Sequence, residues 1–151
     1  MKKTLVLASL VLCGSLASSA GAAAPDPVAT LESGRKAFDT VCSKCHKLDL
    51  PLSKKLDRPG WEGILGAMTG RGAAFSPEER QLVIDYLVVK STFETKCATC
   101  HATQNALAAR RSRAEWEKTV RRMAEKSPGA FTSQEIDLIT AYLTLVVGSE
   151  K

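Results

Sequence analysis

Large aromatic side chains are scarce in this chain: Phe, Trp and Tyr make up 5% of 151 residues. Two units of about 60 residues each, so poor in aromatics, would struggle to bury enough apolar surface unaided. Histidine is rarer still, with only His46 and His101. Beyond the initiator, methionine is confined to Met68 and Met123. No segment sustains an apolar/polar alternation of period two, so no sheet is predicted. From Glu78 to Cys97 there is neither Gly nor Pro. After the N-terminal stretch, no apolar run reaches the roughly 18–20 residues that cross a bilayer.

That N-terminal stretch reads as an export signal. Lys2 and Lys3 precede an apolar run from Leu5 to Leu16, and Ala20, Gly21 and Ala22 supply a small-residue cleavage site. Cleavage after Ala22 leaves 129 residues (151 − 22) and lowers the formal charge from +5 to +3, because residues 1–22 hold two Lys and no acid. The product is expected in the periplasm. Cys13, the odd cysteine of five, lies inside the apolar run with Leu12 before it. A lipoprotein signal wants a small residue there, so a membrane attachment would arise only through a lipid on Cys13, and the preferred reading discards Cys13 with the signal.

The remainder repeats itself. Laying Cys42-Ser43-Lys44-Cys45-His46 over Cys97-Ala98-Thr99-Cys100-His101 is a shift of 55 residues. Without a gap, Phe38 then falls on Phe93, Leu52 on Leu107, Arg58 on Arg113, Trp61 on Trp116, Glu62 on Glu117 and Met68 on Met123. After one inserted residue in the second half, Phe75 meets Phe131, Glu79 meets Glu135, and Tyr86-Leu87 meets Tyr142-Leu143. Every His, every Trp and every internal Met is in register, so the chain is read as two copies of one unit. The predicted organisation is a signal peptide over 1–22, an extension over 23–29, and domains over 30–90 and 91–151.

The expected class is all-α. Leu31, Gly34, Phe38 and Val41 recur at helical spacing, as do Trp61, Leu65 and Met68, and Trp116, Val120 and Met123. Ser76 followed by Pro77 and Glu79 is an N-cap, a first-position proline and a capping box, and Thr132 with Glu135 repeats the signature. One helix is predicted from Pro77 to Cys97, closing the first unit and opening the second. Loops are predicted over 47–60, 70–77, 102–113 and 126–132.

Cys-x-x-Cys-His at a helix end sets two thiols on one side, suited to thioether bonds with the vinyl groups of one haem, and the next His faces the iron. The motif predicts two covalent haem c groups, on Cys42 and Cys45 with His46, and on Cys97 and Cys100 with His101. Three other readings fare worse. A thioredoxin-like pair needs a strand–helix setting. A zinc site spaces its pairs about 12–20 residues apart, whereas 51 residues separate Cys45 from Cys97. A disulfide framework gives no reason for the two His. Met68 and Met123 each lie 22 residues after their His and are the expected second axial ligands, with core filling as the alternative. The indoles of Trp61 and Trp116 are open to donation to a haem propionate or to plain packing. Arg58 and Arg113 are open to propionate pairing or surface exposure, and Pro51 to directing a carbonyl at the ring of His46. Two haems add four propionates, which offset the basic balance, so nucleic acid is not expected as a partner. The basic run from Arg110 to Lys126 is a solvated face that would also suit an acidic partner.

These residues carry a resemblance. Gly34 and Phe38, then Cys-x-x-Cys-His, a loop, a helix bearing Trp and Met, and a helix ending in Tyr-Leu resemble the class I cytochrome c fold. Val41 to His46 with Pro51-Leu52-Ser53, and Trp116 to Met123, are similar to small bacterial periplasmic cytochromes and to the di-haem domain of quinohaemoprotein amine dehydrogenases. The resemblance implies outer-sphere electron transfer between redox protein donors and acceptors, with no catalytic residue. It implies a helix crossing through a Gly/aromatic contact, expected to be wider in the second half because Val89 stands where Gly34 aligns. An electron-accepting subunit of a periplasmic dehydrogenase is the alternative role. A haem peroxidase or a sensor is disfavoured, because both Met are present and no output module is.

Overall fold

A computed structural model describes residues 25–148. The export signal expected over 1–22, Cys13 within it and part of the 23–29 extension lie outside the described residues. The described residues form seven helices and no strand. They are α1 (Pro27–Cys42), α2 (Asp49–Leu52), α3 (Arg58–Thr69), α4 (Pro77–Cys97), α5 (Gln104–Ala108), α6 (Arg113–Glu125) and α7 (Ser133–Val147). The class is therefore all-α, as the periodicity requires. None of the described helices is long and apolar enough to cross a membrane.

Helix starts follow their caps. Ser76 Oγ accepts from the Glu79 amide at 3.1 Å while the Glu79 carboxylate accepts from the Ser76 amide at 2.8 Å. Thr132 and Glu135 do the same at 3.1 and 2.8 Å. A third capping box, Ser112 with Glu115, opens α6. Asp57 caps α3 through the Gly60 amide at 3.0 Å. Such caps satisfy amides that the first turn leaves without partners. Two elements depart from expectation: α2 and α5 are short helices inside segments read as loops over 47–60 and 102–113. Each lies just after a Cys-x-x-Cys-His at the repeat-equivalent place.

The 21-residue α4 is unbroken from Pro77 to Cys97, about 32 Å at 1.5 Å per residue. Its acidic Glu78 and Glu79 lie at the N-terminal end and Lys96 at the C-terminal end, the arrangement the helix dipole favours. It contacts α1, α3 and α7, and α7 also packs on α1, α5 and α6. One hydrophobic cluster takes in both repeats, with Leu31, Phe38, Trp61 and Leu65 from the first and Phe93, Trp116, Val120 and Leu143 from the second. Burying each such side chain is worth about 1.5–3 kcal/mol.

Four rings run through the middle of that cluster. Phe38 and Tyr86 have centroids 5.9 Å apart, Tyr86 and Tyr142 6.2 Å, and Tyr142 and Phe93 5.4 Å. Burial pushes both phenols up, so both are neutral at ordinary pH. Gly34 is needed at the first crossing: a Cβ there would stand 2.3 Å from the Leu82 carbonyl oxygen and 3.0 Å from Tyr86 Cβ. Val89, at the aligned position, is buried with its side chain in place. The second-half aromatic pair has the shorter centroid separation, 5.4 Å for Phe93–Tyr142 against 5.9 Å for Phe38–Tyr86.

Candidate functional site

Both Cys-x-x-Cys-His segments sit where a helix stops. Cys42 is the last residue of α1 and Cys97 the last of α4, and the following turn carries Cys45-His46 and Cys100-His101. All four cysteines are free; the first of each pair is partly buried and the second exposed. Burial, with Asp39 nearby, pushes the Cys42 thiol up to about 11, and burial pushes Cys97 up as well. Both are therefore protonated at neutral pH, unlike the thiolates of disulfide oxidoreductases. Among the described residues no group of three or more His, Cys, Asp or Glu comes together to hold a metal ion.

Each imidazole is oriented by its own backbone. His46 Nδ1 lies 3.1 Å from the Lys47 carbonyl and His101 Nδ1 3.2 Å from the Ala102 carbonyl. The tautomer that donates these bonds leaves the Nε2 lone pair free for a metal. The carbonyl of Pro51 has no part in this. The role belongs to the residue after each His, so it survives the side-chain difference between Lys47 and Ala102.

In the second half the predicted residues converge. Two neighbouring cavities of about 250 and 280 Å³ share Cys97, His101, Met123 and Phe131 in their walls, and Cys100 lines the second. Phe93, Trp116, Val120 and Leu143 make the first cavity apolar. Met68 and Met123 are partly buried and lie near the ends of α3 and α6, both on helices. In the first half Cys42, Cys45, His46 and Met68 occupy the equivalent positions on α1, its following turn and α3.

No protein-family model, curated protein or solved structure matches this chain.

The polar neighbours of the two sites differ. Trp61 is fully buried and its Nε1 donates to Ser91 Oγ at 3.1 Å; Ser91 Oγ also accepts from the Leu56 amide at 3.3 Å. Trp61 is thus engaged within the protein, not available to a propionate. Arg58 pairs with Asp85, and Arg113 with Asp26 at 2.7 Å, through one guanidinium nitrogen each. Trp116 is 2% exposed, and its Nε1 finds no acceptor among the described residues.

Two lysines that a sequence reading would assign to solvent act as clamps. Lys90 is 6% exposed; its Nζ donates to the Leu52 carbonyl at 2.6 Å and to Glu94 at 2.7 Å, fastening the end of α2 to α4. Lys96 Nζ donates to the Ala130 carbonyl at 2.5 Å and to Glu135 at 2.7 Å, and sits 5.2 Å from the Phe131 ring centre. It ties the 126–132 segment, which forms a wall of the second cavity, to the end of α4. Position-by-position differences between the repeats were the available signal for these residues: Lys96 stands opposite Val41, and Ser91 opposite Val147.

Proposed function

We propose that this chain is an exported, periplasmic di-haem c-type cytochrome that passes single electrons between redox proteins. Cys42/Cys45 and Cys97/Cys100 would hold two haems covalently, and His46, His101, Met68 and Met123 would supply ligands to their irons. The two repeats are two small cytochrome-like units joined through α4. The observation that carries the reading is the convergence of Cys97, Cys100, His101 and Met123 on adjoining cavities, from residues a sequence repeat had already paired with Cys42, Cys45, His46 and Met68.

The residues suit such a group. The thiols lie at a helix end three residues apart, each imidazole is held by a carbonyl so that Nε2 is free, and the surface lining the second-half cavities is mostly apolar. A bound haem would supply one-electron redox chemistry at iron. The protein's part is to fix the ligands so that little reorganises on electron transfer, to keep water from the apolar wall, and to lock the two sites to one helix. The thioether bonds would prevent loss of the group outside the cytoplasm.

Denaturing mass spectrometry of the protein isolated from a periplasmic fraction tests this. The expected mass is that of residues 23–151 plus two haems, and a mass lacking either one overturns the reading. Met68→Ala and Met123→Ala are each expected to keep both haems attached, lower one potential and admit carbon monoxide at one iron. Wild-type spectra and potentials in both variants would leave the two Met as core filling alone.

A further inference from the structure

The two halves meet through four buried rings in contact. Phe38 lies four residues before Cys42 on α1, and Phe93 four residues before Cys97 on α4, so each ring shares a helix face with the first thiol of its motif. Phe93 is also a wall of the cavity that Cys97, His101 and Met123 line. Between the two phenylalanines stand Tyr86 of α4 and Tyr142 of α7, and all four side chains are buried. The centroid separations are 5.9 Å for Phe38–Tyr86, 6.2 Å for Tyr86–Tyr142 and 5.4 Å for Tyr142–Phe93. Each lies in the range of aromatic contact. The repeat accounts for one such contact at each helix crossing, Phe38 with Tyr86 and Phe93 with Tyr142. The third contact is of another kind. Tyr86 and Tyr142 are repeat-equivalents of each other, and their meeting closes the gap between the two crossings.

The bonded route from Cys42 to Cys97 runs through 55 residues of backbone, so contacts across the core are the short way between the sites. We infer, resting on the di-haem reading above, that Phe38, Tyr86, Tyr142 and Phe93 are the route by which an electron passes from one site to the other. One electron leaves a ferrous iron and arrives at a ferric one. The rings supply orbital overlap and keep their own electrons, and no proton moves. Phenylalanine and neutral tyrosine are too hard to oxidise for a hole to settle on them at the potential of a haem, so the transfer is a single tunnelling step. Tunnelling falls off faster across a gap than through atoms in contact, and a smaller aliphatic side chain in place of a ring opens a gap. Burial holds both phenols neutral, so no charge on the route traps a carrier. Tyr86 and Phe93 lie seven residues apart on the unbroken α4, on one face, which fixes the spacing of one half of the route.

The test is intramolecular electron exchange in the half-reduced, full-length holoprotein, read from exchange broadening of the haem methyl resonances. Haem content is checked by mass and both potentials by equilibrium titration. Tyr142→Leu should slow the exchange severalfold and leave both potentials in place. Tyr86→Leu, which removes the other ring of the same contact, should do the same and decides the matter if Tyr142→Leu loses a haem. Tyr142→Phe keeps the ring and should keep the wild-type rate. Ile84→Ala, a buried truncation on α4 outside the four rings, should keep it too. Wild-type exchange in the Leu variants overturns the inference. Equal slowing in Ile84→Ala overturns it, because loosened packing would then be the cause. Slowing in Tyr142→Phe as large as in Tyr142→Leu overturns it, because the hydroxyl and not the ring would matter. Slowing that follows a change in the potentials overturns it as well, since driving force alone would account for the rate. Fewer than two haems on the wild-type chain would instead defeat the di-haem reading, leaving the two failures distinguishable.

Discussion

Trp61 and Trp116 occupy the same place in two copies of one sequence pattern, yet one indole is satisfied and the other is not. Trp61 reaches Ser91 across to α4. Trp116 has a valine at the aligned place and an arginine over its ring. A repeat can therefore preserve apolar shape while letting the polar partners drift. Packing constrains the volume at each buried position, so Trp stays Trp, while a single hydroxyl gained or lost decides whether the site looks inward to the protein or outward to a ligand.

The largest expected effect comes from removing the rings. Trp61→Ala should destabilise the full-length protein by about 3–5 kcal/mol, the usual range for a fully buried aromatic. Trp116→Ala should lose less, because it also removes a donor that the protein leaves unpaired. Urea denaturation of the two variants side by side measures the difference; equal losses, or a larger loss at Trp116, would break the contrast between the halves. Next is the helix crossing. Gly34→Ala forces a Cβ onto the Leu82 carbonyl and should destabilise by about 1–3 kcal/mol. Val89→Ala, the same endpoint residue in the other half, should act by the opposite route, through a small cavity, and mutual insensitivity of both positions would show that the crossing is not tight.

Ser91→Ala follows. It leaves Trp61 Nε1 and the Leu56 amide without their acceptor, and the expected loss is about 1–3 kcal/mol. If Ser91→Ala is neutral, the hydroxyl does not hold the first half together. The smallest effect concerns pH. Burial alone would raise Glu135, but Lys96 and the Thr132 amide outweigh it and hold its carboxyl below the ordinary value of 4.5. Glu79 is also lowered, by bonds from Ser76, without a lysine clamp. A depressed carboxyl contributes stability that is present above pH 4.5 and is lost as pH falls through the folded value. Glu135→Gln keeps a capping side chain but not the ion pair, so it should flatten the acid limb of stability between pH 3 and 5 more than Glu79→Gln does. Identical limbs for the two variants would mean that Lys96 adds nothing to its cap.

Much of the helical framework was legible in the sequence, and its reasons are local. Ser76 and Thr132 announce their helices through side chains that reach only three residues, and Leu31, Gly34, Phe38 and Val41 mark one face by spacing alone. The unbroken α4 was legible from what it lacks. Ser112 makes an equal capping box with Glu115, but it sits within a run of arginines that masks the cap pattern. The single-turn α2 and α5 were hidden because a helix that short carries no periodicity. Lys90 and Ser91 were hidden for another reason: their partners, Leu52 and Trp61, lie 38 and 30 residues away. No pattern along the chain encodes that meeting. Cys97, Cys100, His101 and Met123, which the fold brings to adjoining cavities, stood out in the sequence because rare residue types recurred in register, whereas the unsatisfied donors on Arg111 and Trp116 emerge only from the folded contacts.

Neither half owns α4. It packs against α1 and α3 of the first half and α7 of the second, its last turn delivers Cys97, and between these Val89, Lys90, Ser91 and Phe93 are buried. The two copies are thus interleaved instead of strung together. A gene cut anywhere within that helix would yield two fragments, one missing its closing helix and the other its opening one. Deleting either copy would therefore strip packing from the helices of the other.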